Sequence, residues 1–240
     1  MRPRGLIYSL VLSTVPTRAW ESILNVPSRK GLLPAAGGGQ DPQEQFMLCR
    51  RRRAGSVVAL GSWSEEVCRG TGQLRSRADC HAQGHWHRSV HIWFYNPDER
   101  EVLVQRRSLL KDTNPGRWDV SVGGHVAGYD DVMASAVREV REELGVSVKP
   151  SDLEEVGVVA TEARGPGYID RELKHIAIYP WRGRLQQLQL DPAEVTEAEW
   201  MPWVEVHRRL IRGDREFVAF NREYIDLLNH VLLQRFHSFH

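Results

Sequence analysis

Apolar residues alternate with polar ones from His87 to Tyr95, with Val90, Ile92 and Phe94 on one side, and this period of two predicts a strand. Asn96-Pro97-Asp98 supplies turn chemistry, and Glu101 to Arg107 returns with Val102 and Val104, so the pair reads as a hairpin. Lys111 to Gly116 is a loop, and Arg117 to Val122 a short strand. The period then lengthens. Met133, Ala136, Val137, Val140 and Leu144 fall on one side of a helix, and Glu139, Glu142 and Glu143 occupy an adjacent arc roughly 100° wide. Strands follow at about 154–161, 173–181 and 197–202, and helices at about 204–211 and 216–233. Strands with helices interspersed, without regular strand-helix-strand alternation, indicate an α+β fold with a mixed sheet between helices.

Three carboxylates on one helical face repel one another, by roughly 0.2–0.5 kcal/mol per pair in an isolated helix. Ion pairs such as Arg138 with Glu142 offset this, and so does a bound divalent cation. Hard cations such as Mg²⁺ take oxygen ligands and commonly sit between one or two carboxylates and substrate phosphates, so the face points to phosphate chemistry. Gly123-Gly124-His125 precedes the helix as a tight loop, and Gly145 is placed to end it.

The stretch from Gly124 to Val146 resembles the Nudix box: Gly, five residues, Glu, seven residues, then Arg-Glu-aliphatic-any-Glu-Glu-any-Gly-aliphatic. Gly124, Arg138, Glu139, Val140, Glu142, Glu143, Gly145 and Val146 match at the right spacing. Asp130 stands where the pattern has its first Glu, keeping the carboxylate with a shorter reach. The resemblance implies a Nudix fold, an α/β/α sandwich around a mixed β-sheet, over roughly residues 63–235. It also implies a metal-dependent hydrolase that cleaves a diphosphate linkage with Mg²⁺ or Mn²⁺. Glu139, Glu142, Glu143 and the Gly124 carbonyl would be ligands, with Glu139 either a ligand or the base that orients water, and Arg138 would hold the glutamates. Asp130 either supports the metal layer or, like Asp131, caps the helix. Arg106, Lys111, Arg171 and Lys174 are candidate phosphate contacts.

A second set of residues stands around it. Ala78-Asp-Cys-His81, His87 to Trp93 and Trp118 to His125 resemble the isopentenyl-diphosphate isomerase-like branch of Nudix proteins. By that resemblance His81, His87, His125, Asp170 and Glu172 would hold a second metal, and imidazoles with carboxylates suit Zn²⁺ or another first-row ion. One partner is Asp where the isomerase has Glu. The isomerase also uses a cysteine where this chain has Gly123, and moving a double bond needs an acid and a base on opposite sides of the substrate. Hydrolysis is therefore the expected reaction, with isomerisation of a prenyl diphosphate by a substitute acid as the alternative. A silent binding module is the third reading, which the intact glutamates disfavour. The substrate, a nucleoside diphosphate derivative or another organic diphosphate, has no readable code, and neither does oligomeric state.

Composition changes the picture at the start of the chain. Of the 240 residues, 1–62 carry nine Lys/Arg against three Asp/Glu, while the remainder carries 23 against 28. The acid-poor opening, with Ser and Thr around Leu6 to Val11 and a glycine break at 37–39, reads as an extension: a disordered tail of a cytoplasmic protein or a mitochondrial or plastid transit peptide. A catalytic domain from residue 63 is expected. Arg50 to Arg53 is a single basic run that calls for no nucleic-acid partner. Cys49, Cys68 and Cys80 are too few for a disulfide scaffold and fit a reducing compartment. No apolar run approaches the ~20 residues of a membrane span.

Overall fold

The computed structural model describes residues 41–51, 57–60, 63 and 68–237. The expected transit segment, in the first forty residues, lies outside the described residues. A unit from Gly37 to His240 contains everything that follows.

Strands β1 (Gln45–Arg51) and β3 (Cys68–Ser76) pair antiparallel as a two-stranded sheet, with β2 (Val57–Leu60) between them in the chain. Helix α1 (Arg77–Gln83) follows directly. Ser76 caps it by accepting from the Asp79 N–H, and Gly84 closes it in the left-handed region at φ 65°. The main sheet then forms from β4 (Trp86–Asn96), β5 (Glu101–Arg107), β6 (Trp118–Asp119) and β7 (Val122–His125). After α2 (Val132–Leu144), β8 (Glu154–Gly165), β9 (Tyr168–Pro180) and β10 (Val195–Pro202) complete it, and α3 (Trp203–Ile211) and α4 (Arg222–His237) end the chain. The strand order is β10-β5-β4-β9-β8-β2, with β6 on β5 and β7 on β4. Only β4 and β9 run parallel among these pairs, so the sheet is mixed.

Two cores cover its faces, as alternation along the strands requires. Trp93, Tyr95, Val102, Val104, Ile176 and Ile178 pack with α3 and α4 on one side. Val90, Ile92, Phe94, Leu103 and Ala177 pack with Ala136, Val140 and Leu144 of α2 on the other. This is the α/β/α sandwich the resemblance implies.

The boundary at residue 63 needs correction. Phe46 on β1 is fully buried, and its ring stacks on those of His87 and His125 at centroid distances of 4.9 and 4.6 Å. Residues ahead of 63 therefore pack into the body, and the basic run that begins at Arg50, inside β1, hid that strand. The thiol expectation also changes: Cys49 is disulfide-bonded, while Cys80 is free and buried. Two element bounds move as well. β9 starts at Tyr168, several residues before the apolar alternation becomes visible, and α4 starts at Arg222 because the preceding residues pair with β6 instead. Trp118 donates its N–H to the Glu216 carbonyl and accepts from that of Val218, and Asn221 Oδ1 then caps α4 by accepting from the Tyr224 N–H.

Candidate active site

Helix α2 is fixed at both ends. Asp131 Oδ1 accepts from the Ala134 N–H at 2.9 Å, so Asp131 is the cap, and Gly145 ends the helix at φ 70°. Asp130 has the other role and pairs with Arg138 at 2.7 Å. The same guanidinium reaches Glu139 at 3.2 Å and Glu142 at 3.8 Å, so it spans three carboxylates. Glu143 is buried and accepts from Gln105 Nε2 at 3.1 Å and from the Gly123 N–H at 3.3 Å, both on Oε2. Gly124 must be glycine here, because a Cβ at that position would overlap the Glu139 carboxylate. The loop and the helix face are thus pressed together. Burial raises Glu139 to about 7 against the pull of Arg138, and burial with the Glu139 charge holds Glu143 well above the usual carboxylate range. Such costs are what a divalent cation offsets, and the all-oxygen donor set suits Mg²⁺ or Mn²⁺.

The second constellation assembles on the opposite face of the sheet, from α1, β4, β7 and β9. One donor atom each from His81, His87, His125 and Asp170 lies within 4.8 Å of the others. His81 Nε2 and His87 Nε2 are each 3.6 Å from Asp170 Oδ1. Those three atoms and His125 Nε2 are buried without a hydrogen-bond partner. Orphaned polar atoms converging on one point form a set that could hold a cation. His87 Nδ1 lies 2.9 Å from the His85 carbonyl, which can only accept, so His87 Nε2 is bare and ready to ligate. Burial and Arg77 depress His81 to about 4, and burial beside Glu172 raises Asp170 to about 7. Glu172 stands apart from the four: its Oε2 is paired with Lys174 at 2.5 Å and its Oε1 lies 3.4 Å from His125 Nε2.

The candidate phosphate contacts are tied to protein groups. Lys111 is buried against Glu194, Arg171 pairs with Glu162 and donates to the Gly84 carbonyl, and Lys174 bridges Glu172 and His91. Arg106 donates to the Gly116 carbonyl over the Trp118 ring and lines a groove of about 810 Å³ with Leu109, Pro115, Thr196 and Glu197. Gln105, Arg77 and Phe46 were not anticipated. A glutamine inside the apolar run of β5 was the available signal for the first, and only tertiary packing identifies the other two.

A family model described as the NUDIX domain matches residues 85–220, which contain both carboxylate sets. The chain belongs to the Nudix family. Nudix hydrolase 3 of Arabidopsis thaliana is 31% identical over 173 residues, covering 69% of this chain and 22% of the relative. An uncharacterized Nudix hydrolase of Clostridium acetobutylicum is 35% identical over 123 residues, 50% of this chain and 59% of that protein. An isopentenyl-diphosphate Delta-isomerase of Streptomyces griseus is 33% identical over 131 residues, 53% of this chain and 63% of the isomerase. The Nudix chain thus spans less than two thirds of the length of these relatives. Among its described residues no helix is long and apolar enough to cross a membrane.

Proposed function

We propose that this Nudix protein is a metal-dependent hydrolase that cleaves a diphosphate linkage in a small organic molecule, a nucleoside diphosphate derivative or another organic diphosphate, by attack of water at phosphorus. The observation that carries the reading is the close fit of the Gly123-Gly124 loop on the glutamate face of α2: the Gly123 N–H donates to Glu143 at 3.3 Å, and a Cβ on Gly124 would overlap the Glu139 carboxylate. Glu139, Glu142, Glu143 and the Gly124 carbonyl would hold Mg²⁺ or Mn²⁺. A cation bound there neutralises phosphate charge and makes water a better nucleophile at neutral pH. Arg138 keeps Glu139 and Glu142 from splaying apart. Gln105 and the Gly123 N–H fix Glu143 by two bonds to one oxygen, so the ligand set is preorganised from the sheet side.

The histidine cluster would hold a second ion of first-row type such as Zn²⁺, as its unpartnered nitrogens and Asp170 suit. The isomerase reading is supported by this cluster and weakened at Gly123, which brings no side chain to the His91 ring beside it. Hydrolysis of a diphosphate panel, with and without Mg²⁺ and in ¹⁸O water, separates the two readings. Mg²⁺-dependent release of phosphate with ¹⁸O in the product is expected. Conversion of isopentenyl diphosphate to its isomer with solvent deuterium uptake, and no hydrolysis across the panel, would replace the hydrolase by the isomerase.

A further inference from the structure

Position 105 lies in β5 on the face that carries Leu103 into the core under α2, and by that period an apolar residue belongs there. The chain has Gln105 instead, and it is 2% exposed. Its Nε2 donates to Glu143 Oε2, the oxygen that also accepts from the Gly123 N–H. Bracing the carboxylate uses only the nitrogen end of the amide. The oxygen end takes no part in it: Gln105 Oε1 is buried without a hydrogen-bond partner among the described residues.

A buried carbonyl left in that state costs about 1–3 kcal/mol, and such atoms in folded proteins have partners. The neighbouring side chains supply none. In register, Gln105 stands between Asp119 of β6 and Ala198 of β10, a carboxylate and a methyl group. Neither donates. Arg107, two positions along the same strand face, directs Nε and Nη2 to the Thr113 carbonyl and Nη1 to Asp119. Turning the amide over offers no relief, because Oε1 would then oppose the Glu143 carboxylate, acceptor against acceptor. The partner of Oε1 therefore comes from outside the chain.

We propose that Gln105 Oε1 is an oxygen ligand of the divalent cation on the glutamate face, so that β5 supplies a donor to a site otherwise drawn from α2 and the loop before it. The proposal rests on the reading of that face as a metal site. Hard cations accept glutamine carbonyls alongside carboxylates, and a neutral oxygen adds coordination without adding to the repulsion among Glu139, Glu142 and Glu143. One amide then does two things: its N–H holds Glu143, and its oxygen holds the ion. The central sheet thereby fixes how far the carboxylate stands from the cation.

Mn²⁺ alone is the probe. The full chain is titrated with it under EPR, and the ion of the glutamate face is the one whose signal Glu142→Gln removes. Water-proton relaxation then counts the waters on that ion. Gln105→Met keeps the length of the side chain and takes away the carbonyl, so water fills the vacated position: the hydration number should rise by about one, and affinity should fall about 10–100-fold. In the wild type carrying glutamine ¹³C-enriched at the side-chain amide carbon, ENDOR should show the manganese coupling of a directly bound carbonyl, absent from Gln105→Met. Weaker affinity with an unchanged hydration number, and no such coupling in the wild type, would leave Gln105 a brace for Glu143 and overturn the proposal while the hydrolase reading stands. Absence of any Glu142-dependent Mn²⁺ in the wild type would overturn the metal reading of this face and the proposal with it. Should Gln105→Met fail to fold, the coupling in the wild type decides alone.

Discussion

The two acidic sites of this protein lie on opposite faces of one sheet and are built by opposite means. The glutamate face of α2 is written in one contiguous stretch, held by a cap at each end, and completed by a single loop. The histidine cluster draws its donors from α1, β4, β7 and β9, and is roofed by Phe46 from β1. Local folding fixes the geometry of the first site. Long-range pairing fixes the second, in which His87 sits opposite Glu172 in the parallel register of β4 and β9. Damage to one residue should accordingly stay local in the first and spread in the second.

The largest effect is expected from Glu142→Gln, which keeps the size of an exposed side chain and removes its charge. Hydrolysis should fall by roughly 10²–10⁴-fold, the range one essential group supplies, while thermal stability is retained. Near-normal turnover at saturating Mg²⁺ would remove this face from the chemistry. On the other side of the comparison, Phe46→Ala should cost about 3–5 kcal/mol in urea unfolding, as truncation of a buried phenylalanine does. Zinc binding should weaken with it, because two of the imidazoles lose the ring they stack on. An unchanged unfolding midpoint would return the start of the domain to residue 63.

Gln105→Leu sharpens the contrast further. It leaves the buried Glu143 with one donor in place of two, and should raise the Mg²⁺ concentration for half-maximal activity by about 10–100-fold with little change in zinc affinity. Equal Mg²⁺ requirements in variant and wild type would show that Gln105 only packs. The smallest effect belongs to Asp131→Ala, loss of a helix cap, at about 1 kcal/mol of stability. A much larger loss would mean that the helix start bears on the site as well as on the fold.

The same contrast explains how far the chain could be read. Caps, apolar period and glutamates of α2 are all local, so its limits were visible, from Asp130 or Asp131 to Gly145, as was the β4 to β5 hairpin around Asn96-Pro97-Asp98. Helix α1 is a seven-residue element, too short for periodicity to show, and only Ser76 and Gly84 marked it. The start of β9 was hidden because Asp170, Glu172 and Lys174 put three charges on one buried face, where a strand pattern calls for apolar residues. That local conflict coincides with the site. The surroundings of His125 are not a property of its own segment at all, since Arg77, 48 positions away, reaches its Nδ1 at 2.9 Å.

The parallel pairing of β4 and β9 also constrains how this family member can change over generations. Along β9, Asp170, Glu172 and Lys174 alternate with residues such as Leu173 that enter the core behind. Inserting one residue within this strand would turn every later side chain through the sheet, placing carboxylates in oil and leucine among the imidazoles. No intermediate between the two arrangements keeps a working cluster. Exchange of side chains, one letter at a time, leaves this register intact, and so does an added residue in the Gly165 to Gly167 bend, which lies between the two strands.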